Sequence, residues 1–210
     1  MQTQSTFPVA VRTGATRRRA VRRHLAGWAF VCAAAVWTQG AVSPAQAAQG
    51  AVNGASLERR VKAAFLYKFL GYAEFPPAAF ADASSPLTIG VIGADDLAAE
   101  LARIVAGRTI NNRGVVVRVM READLPATLQ LLFVGGSDAP RVGRVVHQAG
   151  TTALIVTDCD NGLQQGSAIN FVIVDERVRF DVALDAAERN GIKLSSRLLT
   201  VANRVSKGGQ

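Results

Sequence analysis

The chain has 210 residues, with 24 basic and 16 acidic side chains, two cysteines and a formal charge of +8. Six of the arginines fall in residues 1–47, which hold no acid, so the remainder carries 18 basic against 16 acidic groups. A surplus of two is too small to neutralise a phosphate backbone, and bulk charge therefore excludes a nucleic-acid binder.

The chain opens on a three-part pattern. Arg17, Arg18, Arg19, Arg22 and Arg23 form a basic block, an apolar run follows from Leu25 to Val36, and Ala45-Gln46-Ala47 places small residues where a signal peptidase reads. This is the layout of a secretory leader. The apolar run is about a dozen residues, short of the ~20 that a membrane span needs. Cleavage is expected after Ala47, which takes 47 of 210 residues and leaves 163, enough for one domain with a full core. Arg22-Arg23 fits a twin-arginine signal poorly, and Cys32 lacks the small residues that precede a lipid-modified cysteine. With Cys32 lost in the leader, Cys159 has no partner for an internal disulfide.

Residues 48–55 read as a flexible lead-in, and residues 56–206 as the domain. Ser56 is placed to cap a first helix whose apolar stripe is Leu57, Val61, Ala64, Phe65 and Phe69, with Gly71 at its end. The lysines Lys62 and Lys68 make this segment too charged to cross a membrane. Leu87 to Gly93 reads as a buried strand, Asp95 or Asp96 caps a helix over Leu97, Leu101, Ile104 and Val105, and Val115 to Met120 is the next strand. Strand, helix and strand in about 35 residues predict a parallel βαβ unit. A strand from Leu131 to Gly135, a helix capped by Asp138, and a strand ending in Thr157-Asp158 continue the alternation. Two consecutive strands then meet at a tight turn near Asp175-Glu176; in the second, Val178, Phe180, Val182 and Leu184 alternate with Arg177, Arg179, Asp181 and Ala183. Asp185 and Glu188 have capping-box spacing for a short helix. Ser195-Ser196 starts a last helix carrying Leu198, Leu199, Val201, Ala202 and Val205. The fold class is α/β: a single domain with a mixed, mostly parallel sheet, a late antiparallel hairpin, and helices on both faces.

Candidate chemistry is sparse. Gly90 to Asp96 puts glycines between a strand and a helix, but the dinucleotide spacing is missing and two aspartates would repel a phosphate. His147 is the only histidine after the leader, with no acid or serine tied to it by a motif. One cysteine and one histidine make no metal set, and Asp158-Cys159-Asp160 beside Asn161-Gly162 reads as a solvated turn. No catalytic residue, metal or cofactor is expected. Two stretches remain as candidates for a partner or a ligand. One is the aromatic tail of the first helix, Tyr72 and Phe75. The other is the helix start Ser195, Ser196 and Arg197, where hydroxyls and a guanidinium accompany free amides.

These segments together resemble the YfiR/HmsC-like periplasmic proteins. Ala64, Leu66, Phe69, Tyr72, Glu74 and Pro76 fit that family's opening pattern, with Lys68 where it has Asn and Phe75 where it has Trp. The strand segments and the tail from Arg177 to Val205 follow, the tail being the most specific piece. The resemblance implies an exported regulator rather than an enzyme. It would hold the periplasmic sensor domain of an inner-membrane diguanylate cyclase in an inactive state and so lower cyclic-di-GMP, biofilm and exopolysaccharide. A homodimer is also implied by it. The unpaired Cys159 departs from members that carry disulfides, and Lys68 and Phe75 put a shared ligand at that spot in question. A small-molecule sensor module serving another membrane protein, such as a histidine kinase, and a periplasmic enzyme using His147 or Asp158 stay open at this stage.

Overall fold

The computed structural model describes residues 44–207 apart from 127 and 150–152. The expected leader therefore lies mostly outside the described residues. Helix α1 (Pro44–Tyr72) opens with a proline, which is pre-set for a first helical turn. It runs unbroken through residues 48–55, so the expected flexible lead-in is helical and Ser56 is an interior residue rather than a cap. The alanines at 45, 47, 48, 51 and 55 are strong helix formers and offset Gly50 and Gly54, which cost about 1 kcal/mol each.

Strand β1 (Ala73–Glu74) follows α1 directly, then β2 (Leu87–Ile92), α2 (Asp95–Val105), β3 (Thr109–Ile110) and β4 (Arg113–Val119). Beyond them come β5 (Leu131–Val134), α3 (Ala139–Gln148), β6 (Leu154–Thr157), β7 (Ile169–Val174) and β8 (Arg177–Ala183). The chain ends with α4 (Leu184–Arg189), β9 (Lys193–Leu194), α5 (Ser196–Val201) and β10 (Arg204–Ser206). The main sheet has eight strands in the order β10-β8-β7-β6-β5-β2-β4-β3. Pairings from β4 through β2, β5 and β6 to β7 are parallel, and β7 and β8 form the antiparallel hairpin. The hairpin turn places Asp175 and Glu176 at φ 49° and 59°, the left-handed pair that a two-residue loop requires.

Alternation along the strands splits the core in two. Leu131, Phe133, Leu154 and Val156 face α1, α2, α4 and α5; Leu132, Val134 and Ile155 face α3. Helices thus cover both faces, as the sequence predicts. The larger core is built on phenylalanines: Phe69 lies 5.0 Å edge-on from Phe180 and 5.8 Å from Phe171. Such pairs add roughly 0.5–1.5 kcal/mol each to the area they bury.

Three local expectations are corrected. Val205 belongs not to the last helix but to β10, where it pairs in parallel with Val182 of β8. Helix α2 takes Ala94 as its N-cap, with Asp95 and Asp96 inside the first turn where the dipole favours them. The Asp185–Glu188 capping box does not form either; Asp185 sits in the first turn of α4 and bonds Arg189 four residues on.

Candidate functional site

The order of strands reverses between β2 and β5, and ligands of open α/β sheets usually bind at the carboxyl ends of strands at such a point. A hollow of about 530 Å³ lies there, lined by Glu58, Lys62, Gly93, Asp96 and Asp158 among others. Both of its cations are already paired, and Asp95 adds a further acid to its rim. Lys62 Nζ donates to Glu58 at 2.6 Å and to Asp158 at 3.2 Å, and Arg59 pairs with Asp96 at 3.2 Å. Asp158 also accepts from the Gly136 amide at 3.2 Å. Burial would pull the Lys62 ammonium down, but the Glu58 hydrogen bond and the attraction of Asp158 hold it above the usual lysine value. This constellation ties α1 to the ends of β5 and β6. Gly93, at φ +71°, could not carry a side chain because a Cβ would lie 2.8 Å from the Gly135 carbonyl. Close packing of two backbones accounts for the glycine here, without a phosphate.

Among the described residues no group of three His, Cys, Asp or Glu could hold a metal ion. His147 is exposed in the last turn of α3. Cys159 is 4% exposed; burial raises its thiol pKa, and the neighbouring Asp158 adds to the shift. A thiol held protonated in this way is a poor nucleophile.

The two stretches singled out at the surface come together. β1 and β9 pair antiparallel, Ala73 opposite Leu194, and the Ser195 amide donates to the Tyr72 carbonyl at 2.9 Å. Neither two-residue strand has a pattern of its own, so sequence reasoning missed the pairing that joins them. Ser195 caps α5 by accepting from the Leu198 amide, and the exposed Ser196 offers its carbonyl to Thr200. Phe75 is half-buried, edge-on to Phe80 at 6.5 Å and packed against the core, and it does not line the hollow that Tyr72 and Arg197 share.

Between α1, β8 and α5 lies a hollow of about 290 Å³. Phe65, Phe69, Phe180 and Leu198 give it an apolar lining, Tyr72 and Val201 add exposed surface, and Lys68, Arg179 and Arg197 contribute cations. A second hollow, about 550 Å³, shares Phe65 and Arg179 and continues along α1 past Val61 to Leu57 and Ile173.

The predicted stripe of α1 is therefore rotated. The buried line is Ala63, Leu66, Phe69 and Leu70, whereas Leu57 is 61% exposed and Val61 and Phe65 sit at the margin. Of the expected stripe only Phe69 is fully buried; Leu57 and Val61 line the second hollow, and Phe65 lines both hollows while packing against the core.

No curated protein matches the chain. The YfiR/HmsC-like family model matches residues 59–203, a span from the second half of α1 to the residue before β10. That span contains the whole of the charge-matched constellation's partner strands and both halves of the surface joined by β1 and β9, so the chain belongs to the YfiR/HmsC-like family.

Proposed function

We propose that this is a periplasmic regulatory protein that works by contact. It binds the periplasmic sensor region of an inner-membrane diguanylate cyclase and favours its inactive conformation, lowering cyclic-di-GMP. Membership of the YfiR/HmsC-like family supports the reading. The observation that carries it on the molecule is the apolar strip from Leu57 along α1 to Tyr72 and Val201, where residues of 61%, 37% and 56% exposure sit on one side of the fold. Exposed apolar surface of this kind, rimmed by charges, marks interaction sites. Regulation by such a protein is a population shift: the repressor must bind the inactive sensor more tightly than the active one, and the difference in affinity sets how far output falls.

A photo-cross-linking amino acid placed at Tyr72 tests this in cells. The expected product is an adduct with the periplasmic domain of a diguanylate cyclase, absent when the same amino acid replaces His147 on α3, across the sheet. Equal labelling from both positions, or none from Tyr72 while the cyclase is present, contradicts the proposed face.

A further inference from the structure

We infer that the smaller hollow receives an acidic, extended segment of the partner anchored by one large apolar side chain. The inference rests on the reading of this side of the fold as a docking face and specifies the chemistry that face selects.

Charge carries the argument first. Lys68, Arg179 and Arg197 all line the hollow, no acid does, and none of the three is in an ion pair among the described residues. The hollow at the strand-order reversal is the internal comparison: its cations, Arg59 and Lys62, are each matched by carboxylates. A chain with nearly equal numbers of acids and bases outside residues 1–47 has concentrated three uncompensated cations around one apolar depression. Complementary charge across an interface steers encounter and rejects wrong partners. A basic or neutral segment would leave those cations facing one another with nothing gained.

Size and shape select a segment over a free small molecule. About 290 Å³ lies at the lower end of the ~300–1,000 Å³ usual for small-molecule sites. It suits one aromatic or branched aliphatic side chain seated on Phe65, Phe69 and Phe180, in the manner of a buried interface anchor. The hollow is not isolated. Phe65 and Arg179 also line the second depression, where Leu57, Val61 and Ile173 extend the apolar track along α1; Glu58 and Glu176 line it too, so the acidic residues of a bound segment belong at the end with Lys68, Arg179 and Arg197. Acidic residues on either side of the anchor then meet Lys68 and Arg197 at one end and Arg179 between the two depressions.

The test uses the exported protein recovered from the periplasm and three synthetic peptides: Asp-Glu-Phe-Glu-Asp, Asp-Glu-Ala-Glu-Asp and Lys-Lys-Phe-Lys-Lys. Binding is followed by NMR shifts of the Arg197 and Leu198 amides at low ionic strength, where exposed charges are least screened. The acidic phenylalanine peptide is expected to bind at least tenfold more tightly than either of the others. Lys68→Glu with Arg197→Glu should reverse the preference between the acidic and basic phenylalanine peptides; both positions are exposed, so an unchanged melting curve is expected. Arg197→Gln, a milder change, should weaken the acidic peptide alone by several-fold. Equal binding of the acidic and basic peptides overturns the inference. So does octanoate binding the hollow as tightly as the peptide, because a free anionic amphiphile would then be its occupant. The outcomes separate from those of the proposed function: loss of peptide preference with the Tyr72 cross-link intact removes the anchor chemistry alone, and the converse removes the cyclase partner alone.

Discussion

At the scale of single residues, Lys62 has the clearest energetic signature. Its side chain is 12% exposed and reaches carboxylates on two different elements, Glu58 in its own helix and Asp158 beyond β6. Replacing it by methionine keeps the apolar stem but leaves Asp158 with only the Gly136 amide. Losing hydrogen bonds to charged groups of this kind costs about 1–3 kcal/mol. The pH dependence follows from the direction of the shift. An ammonium held above its ordinary value binds its proton more tightly in the folded state, so its contribution is complete below the unfolded value near 10.5 and fades as pH rises through the higher folded one. The stability difference between the wild type and Lys62→Met should therefore be level from neutral pH to about 10 and shrink above it. Chemical denaturation at pH 7, 9 and 11 measures this. A difference that grows with alkalinity would mean that Lys62 is not held by those carboxylates.

At the scale of elements, α1 decides most of the interpretation, and its two faces make opposite predictions. Leu66 is fully buried and Leu57 is 61% exposed, although both are leucines in the same helix. Leu66→Ala should cost roughly 2–5 kcal/mol through lost burial and the cavity left behind, whereas Leu57→Ala should stay within about 0.5 kcal/mol. Thermal melts of the two variants check the phase of the helix; similar losses would place Leu57 in the core. That phase was hard to read from sequence because Phe65, Leu66, Phe69 and Leu70 put apolar side chains on two adjoining faces, so spacings of three and four fit more than one stripe. The buried strands were legible for the opposite reason. In β5 and β6 every residue is apolar except Thr157, and such runs have no alternative fate in a domain of this kind. The β7–β8 hairpin was legible from the alternation between Arg177 and Val182, but the expected pattern ran too far: Ala183, expected on the wet face, is buried, and Leu184 opens α4 instead of extending the strand. The short strands β1, β9 and β10 were not, since two or three residues carry no period and are strands only because a neighbour pairs with them. The candidate surface shows the same division. Tyr72, Ser195 and Arg197 were identifiable as residue types, but their proximity is created by the β1–β9 pairing, and nothing in the sequence marks the contact of Phe75 with Phe80.

At the scale of the whole molecule, the fold separates two jobs. Lys62 is held by carboxylates from its own helix and from beyond β6, which ties the first helix to the sheet; the hollow between α1, β8 and α5 instead joins an apolar lining to three cations that are in no ion pair among the described residues. Under the proposed reading its output is the difference in its affinity for two conformations of a membrane partner. The most direct test is cyclic-di-GMP measured in four strains, with and without this chain and with and without the partner cyclase. The proposal predicts a rise on removing the chain only where the cyclase is present, restored to baseline by the wild-type gene. A rise of equal size without the cyclase, or no rise in any strain, would contradict it.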